Sequence, residues 1–388
     1  MDNLYKGICP YEDEAELIKM LDEVFFADDP PETRTNFMEL LPKLYKKQYN
    51  PAASNVVVKE NGVLKAAVGG YASEVSAAGR RLRVYGIGNV AVSKDSRRKG
   101  YMIDCMNMAL DIMKKEDYDY SLLDGQRQRY GFFGFEPAGC ACNFRINAGN
   151  IRRILGADAK SPFTAREITE SDGEIIKKIK VLNESLPFYP VRSEKSYLDI
   201  IKNWSGIPYA AFEGELFKGY FVAHKSGSLL EIKAADTSDM LGIIMCAMDV
   251  IGKGSVSFTL PQFDTQACEY MAKICDGMSL CNVEKLNILN YGRFIDAFLA
   301  VKAQRMKLCP GSVKLLIHGC KRDENLLVSV SGSEVSVTET DGEPDVELSH
   351  GDAIRFLTGL VSEQRFSLPS FALNWFPLDF YSYSLDNV

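Results

Sequence analysis

The chain has 388 residues, 46% hydrophobic and 25% charged, the balance of a soluble globular protein too long for one ordinary core. Its formal net charge of −7 argues against nucleic acid as the main partner, because neutralising phosphates takes clustered Lys and Arg. No apolar run approaches the roughly 18 residues of a membrane span, and the first residues lack a basic-then-apolar secretory pattern. The expectation is a cytoplasmic protein with no membrane partner.

In chain order, residues 5–8 read as a short strand and a helix follows from Asp13, with Glu16 completing an acidic form of the capping box. Leu17, Ile18, Leu21, Val24 and Phe25 give that helix one apolar face. A second helix carries Phe37, Leu40, Leu41 and Leu44, with Pro42 at a break. Residues 55–60 and 63–71 form a hairpin around Asn61-Gly62. A long strand at 81–92 leads to an amphipathic helix at 100–115, a strand at 120–123, a helical turn through 127–134 and a strand near 140–146.

From about residue 150 a similar order returns: strand 164–168, helices from Asp172 and Lys195, strands around Glu213-Gly214 and at 229–235, helix 239–251, strand 255–260 and helix 265–275. A third region begins near Lys285, with a helix at 292–301, short strands at 313–320, 326–330 and 334–339, a helix at 353–360 and an aromatic tail. Ten cysteines lie scattered without a CxxC pair and read as buried reduced thiols. His224, His318 and His350 stand far apart, so neither a metal site nor a His-based nucleophile is expected.

The segment that carries chemistry is Gly88-Asn89-Val90-Ala91-Val92-Ser93-Lys94-Asp95-Ser96-Arg97-Arg98-Lys99-Gly100-Tyr101-Met102. A strand enters a basic turn that opens a helix, and unpaired N–H groups at a helix start can hold a pyrophosphate. Gly100 keeps a side chain out of the way, while Arg97, Arg98 and Lys99 add charge. A plain basic surface turn would look similar. The glycine spacing excludes the P-loop and the dinucleotide GxGxxG patterns. After the later strand at 229–235 the matching turn reads Asp236-Thr237-Ser238-Asp239-Met240-Leu241-Gly242, whose acids would repel a pyrophosphate. One such ligand per chain is expected.

Val90-Ala91-Val92 followed by Arg97-Arg98-Lys99-Gly100-Tyr101 resembles the signature of the GNAT acetyltransferases, with Met102 where that family prefers Gly or Ala. The Arg-Arg-x-Gly form, together with Tyr130-Gly131-Phe132-Phe133-Gly134-Phe135, is similar to the enhanced-intracellular-survival (Eis) type. The motifs cover about residues 88–135, and the layout covers the whole chain.

The resemblance implies an α/β fold with mixed sheets. A catalytic GNAT domain (1–148) would be followed by a degenerate GNAT domain (149–284) and a sterol-carrier-protein-like domain (285–388). It implies acetyl-CoA as donor, no metal, an amine of a small cationic molecule or lysine side chain as acceptor, and a homo-oligomer, a hexamer in the family. Cofactor contacts are carried over to Val90, Ala91, Val92, Arg97, Arg98, Lys99, Gly100 and Tyr101, with the Val92 N–H on the thioester carbonyl. Tyr130 is the implied general acid. The carboxylate of Val388, at the end of an aromatic tail unlike a frayed terminus, is the implied base. Asp28-Asp29 and Asp386 read mainly as solvated surface acids. The competing reading is a non-catalytic acyl-CoA or hydrophobic-ligand binder using the third domain as its pocket.

Overall fold

Three consecutive buried valines, Val56 to Val58, and an Asn-Gly turn build the central hairpin of the first sheet. Asn61 and Gly62 both take positive φ, 54° and 81°, as a tight hairpin with right-twisted arms requires. They join strands Asn55–Glu60 and Val63–Ala77. The structure is a computed structural model that describes residues 3–32, 34–275 and 277–388. In the first sheet the strand order is Leu4–Ile8, Asn55–Glu60, Val63–Ala77, Arg80–Val92, Tyr120–Leu123, Glu284–Ile288 and Glu136–Ala138. Phe188–Pro190 adds to the far end of Val63–Ala77. Helix Glu14–Phe26 covers one face through Leu17, Met20 and Leu21, and helix Tyr101–Lys115 the other through Cys105, Met106, Ala109 and Met113.

The second sheet runs Met278–Cys281, Ala141–Asn147, Ser255–Pro261, Ser228–Ala234, Leu216–Ala223, Ile207–Glu213, Thr164–Glu167. Its helix Met240–Ile251 is apolar on nearly every side and buried from Met240 to Met248. A four-stranded sheet follows, ordered Glu334–Glu339, Asp323–Ser331, Gly311–His318, Val346–Ser349. Helix Tyr291–Arg305 lies in one apolar cluster with that sheet, with Val75, Leu82, Val84 and Tyr120 of the first sheet, and with Phe380, Tyr381 and Tyr383 of the tail. Among the described residues no helix is long and apolar enough to cross a membrane.

Two local expectations change. Asp13 precedes helix Glu14–Phe26 without capping it: its carboxylate accepts from Lys59 Nζ at 2.5 Å, and Glu16 accepts from the Leu64 N–H at 2.9 Å. The hairpin passes beside the helix start, and a lysine is a stronger partner for a carboxylate than a neutral amide. The strand placed near 140–146 at the end of the first unit instead lies in the second sheet as Ala141–Asn147, with seven pairs to Ser255–Pro261. Glu284–Ile288 occupies the first sheet beside Tyr120–Leu123, so the two sheets interleave in sequence. The ten cysteines are free, and six are buried: Cys9, Cys105, Cys140, Cys142, Cys246 and Cys268.

Candidate active site

Strand Arg80–Val92 pairs along its length with Val63–Ala77, but its parallel pairing with Tyr120–Leu123 stops at Ile87 and Leu123. Beyond that point, among the described residues, its edge has no strand beside it, and the two parallel strands split. A bulge falls at the split, because Ala67 pairs with Ala91 but Gly69 with Gly88, so that Asn89 and Val90 oppose Val68 alone. Asn89 supplies it with φ of 40°, a left-handed conformation that Asn tolerates better than most residues. Its half-buried amide is held by the Tyr71 hydroxyl at 2.9 Å and the Asn55 carboxamide at 2.7 Å.

The bulge shifts the alternation by one. Tyr85 and Ile87 face helix Tyr101–Lys115, and after the bulge Val90 and Val92 do so, while Ala91 turns toward helix Glu14–Phe26. The Ser93 N–H donates to Lys65 O at 2.9 Å on the paired side. Strand alternation therefore turns the Val92 N–H to the free edge.

The strand ends in a cleft of about 750 Å³ lined by Val24, Phe25, Val90, Val92, Arg97, Arg98, Gly100, Tyr101 and Arg129, among others. Arg97 and Arg98 are exposed, and neither has an ion pair among the described residues. Gly100 takes φ of 85° directly before helix Tyr101–Lys115, and a Cβ there would meet nothing within 4 Å. Two free guanidinium groups, an open glycine and a helix start suit a pyrophosphate. Lys99 points elsewhere: its Nζ donates to Glu60 at 2.8 Å, and the Tyr101 hydroxyl donates to the same carboxylate at 3.1 Å. Asp28 is exposed and pairs with Lys94 at 3.1 Å.

Tyr130 ends the helical turn Arg127–Tyr130, its ring against Gly125, two residues beyond the end of strand Tyr120–Leu123. It belongs to the cluster that holds Tyr85 and Ile87, at the floor of the split. Burial pushes its phenol above the ordinary value, and the Arg129 guanidinium beside it draws it partly back. The phenol thus keeps its proton while lying beside a residue of the cleft.

On the opposite face of the same strand lies a cavity of about 300 Å³, lined by Lys43, Tyr71, Gly86, Tyr120, Asp124, Glu284, Tyr381, Asp386 and Val388 among others. The tail closes it. Val388 sits on Gly86 and Gly88, where a Cβ would come within 2.7 Å of Val388 Cγ2 and 3.0 Å of its carbonyl carbon. The approach requires glycine at both positions.

The tail is fixed from distant parts of the chain. Leu385 O accepts from Asn203 Nδ2 at 2.7 Å and Lys43 Nζ at 3.1 Å, and Ser384 O accepts from Trp204 Nε1 at 3.0 Å. Asp386 is no free surface acid: Arg192, 3% exposed, donates to it at 2.6 Å and to Glu231 at 2.6 Å. Burial lowers the Lys43 ammonium to about 7, against the pull of Asp386. Sequence reasoning missed Lys43, Arg192 and Glu284, none of which sits in a local motif.

The turn of the second unit is closed. Asp236 accepts from Ser238 N at 2.8 Å, Asp239 pairs with Lys218 at 2.8 Å, and Phe163 packs where a Cβ on Gly242 would be, at 2.6 Å.

A basic turn lies at one side of the split strand pair and a cavity of about 300 Å³ at the other, and residues 10–138 match the family model described as acetyltransferase (GNAT) domain. The protein carries a GNAT domain and is an acyltransferase by class. The whole chain shares its fold with solved GCN5-related N-acetyltransferases. The structure from Anabaena variabilis is 12% identical, TM-score 0.70, with 98% of each chain covered. The one from Kribbella flavida is 16% identical, TM-score 0.67, covering 100% of this chain and 99% of that one. Eis1 from Mycobacterium abscessus shares the fold at 12% identity with a TM-score of 0.57, covering 90% of this chain and 88% of that one. No curated protein matches the sequence.

Proposed function

We propose that this protein transfers an acetyl group from acetyl-CoA, the donor substrate, to an amino group of a small cationic molecule of aminoglycoside or polyamine type, or of a lysine side chain. The observation that carries the reading is the split between Arg80–Val92 and Tyr120–Leu123, with a cleft bearing two arginines near one end of the strand and a cavity lined by carboxylates on the opposite face. Arg97, Arg98 and the helix start at Gly100 hold the pyrophosphate, and Tyr101 bounds the cleft. Val90, Ala91 and Val92 present backbone along the pantetheine, with the Val92 N–H on the thioester carbonyl. Tyr130 gives its proton to the leaving thiolate, and the Val388 carboxylate receives a proton from the attacking nitrogen.

The second unit binds no donor, because its turn is acidic and covered. The layout we assign is 1–148 catalytic, 149–284 degenerate and 285–388 sterol-carrier-like, except that Ala141–Asn147 completes the second sheet and Glu284–Ile288 the first, in a cytoplasmic hexamer as the family resemblance implies. The test is CoA release from acetyl-CoA with spermidine, kanamycin and a lysine peptide. It is run on the native chain, on Tyr130→Phe and on a chain lengthened beyond Val388. Turnover lost in both variants with donor binding intact supports the roles. Tight acetyl-CoA binding without turnover of any amine sinks the reading in favour of a ligand-binding protein.

A further inference from the structure

Glu284 opens the strand that enters the first sheet after the chain has left the second. Lys285 pairs with Leu123, and Leu123 with Ile87. Gly86, Leu122 and Leu286 share a row across the sheet, and Gly88 and Glu284, each two residues along its strand, fall on the same face. That is the face on which Val388 covers Gly86 and Gly88, and Gly86, Asp124, Glu284 and Val388 line the cavity. Glu284 Oε1 accepts from Asn387 Nδ2 at 2.7 Å. Its other oxygen, Oε2, is buried and has no partner among the described residues. Asp124, by contrast, is turned to solvent and tied to Lys285 Nζ at 2.8 Å.

A carboxyl oxygen withdrawn from water and left unpaired beside an amine-sized cavity is an acceptor waiting for an N–H. We propose that Glu284 binds the acceptor amine in this cavity and takes its first proton, a catalytic assignment that rests on the acetyl-transfer reading. The ammonium N–H bond breaks and its proton passes to Glu284. The freed lone pair then attacks the thioester carbonyl, so that C–N forms and C–S breaks. The thiolate takes the Tyr130 hydroxyl proton, and the second N–H proton goes to the Val388 carboxylate. Of the two protons held on the carboxylates, one returns to Tyr130 and the other leaves to solvent. Burial, with Asp124 adding to it, raises the Glu284 carboxyl to about 8, which suits a group that must hold the proton of an amine.

Two nucleophiles separate this role from a structural one. The fastest cationic acceptor among spermidine, kanamycin and the lysine peptide must lose a proton before it attacks; hydroxylamine is already neutral near neutral pH. Glu284→Gln keeps the shape and a hydrogen bond to Asn387 but accepts no proton. The expected result is a fall in kcat on the order of 100-fold with the cationic acceptor, with hydroxylamine turnover and acetyl-CoA affinity little changed. Equal loss with both nucleophiles, or no loss with the cationic one, overturns the assignment while leaving acetyl transfer standing. Should Glu284→Gln fold poorly, the ratio of the two rates in Glu284→Asp decides in its place: a lowered ratio supports the assignment, and a ratio equal to the native one overturns it. If the native chain turns over no amine, the acetyl-transfer reading falls and the assignment falls with it.

Discussion

Each of the first two sheets contains a strand that leads through a short turn into a helix and lies parallel to a neighbour from which it soon splits. In the first sheet the strand is Arg80–Val92 and the helix Tyr101–Lys115; in the second they are Ser228–Ala234 and Met240–Ile251. The second pair stays together only at Ser228 with Ser257 and Leu229 with Phe258. The first split opens to a cleft with two free arginines. The second is occupied by the tail, where Ser384 Oγ donates to Leu230 O at 3.0 Å and Tyr381 meets Thr259 at 3.3 Å. One architecture thus carries an open cleft in one place and a dock for the chain's own end in the other. The difference lies in a few side chains: Arg97 and Arg98 against Asp236 and Asp239.

The sharpest break of this comparison is at the chemistry. Tyr130→Phe should cut kcat on the order of 10²–10⁴-fold with acetyl-CoA affinity unchanged, measured by CoA release and calorimetry. Arg192→Met probes the dock. It leaves Glu231 and Asp386 without their shared cation, which should cost about 3–5 kcal/mol, read as a lower midpoint in urea or heat. An unmoved midpoint would mean that the tail is not seated by this ion group.

On the donor side the effects are smaller. Arg97→Ala should weaken acetyl-CoA binding by about 1.5–3 kcal/mol, whereas Lys99→Ala, already committed to Glu60, should stay within about 0.5 kcal/mol. Equal losses would place the phosphates elsewhere on the turn. Last comes a graded pH effect. Glu284 rises from 4.5 to about 8 on folding, so between those values the native chain binds more protons than the unfolded one. Its contribution to stability therefore falls as pH rises through that window. Melting curves at several pH values should show a smaller alkaline loss in Glu284→Gln than in the native chain. The charged neighbours Asp124, Lys285, Asp386 and Lys43 are common to both.

The strand–turn–helix of the first unit is legible in the sequence because it is local: Val90 to Tyr101 lie within one turn's reach, and the hairpin at Asn61-Gly62 is written in two residues. The capping box at Asp13 misleads because Lys59 and Leu64, across the hairpin, compete for the same carboxylates. The far wall of the cavity is not legible at all. Lys43 meets Leu385 across 342 positions, Arg192 meets Asp386 across 194, and Glu284 meets Asn387 across 103. No periodicity or motif links such residues. Nor does any local signal show that Ala141–Asn147 and Glu284–Ile288 leave one sheet for the other, since both are ordinary short strands whose place is decided by the partner they find.

Calorimetric titration with acetyl-CoA tests the contrast between the two splits most directly. It should be run on the native chain, on the Arg97→Ala, Arg98→Ala pair, and on the Asp236→Arg, Asp239→Arg pair. The expected result is one donor per chain, with binding much weakened by the first pair and untouched by the second. Two donors per chain, or affinity that follows the second pair and ignores the first, would contradict it.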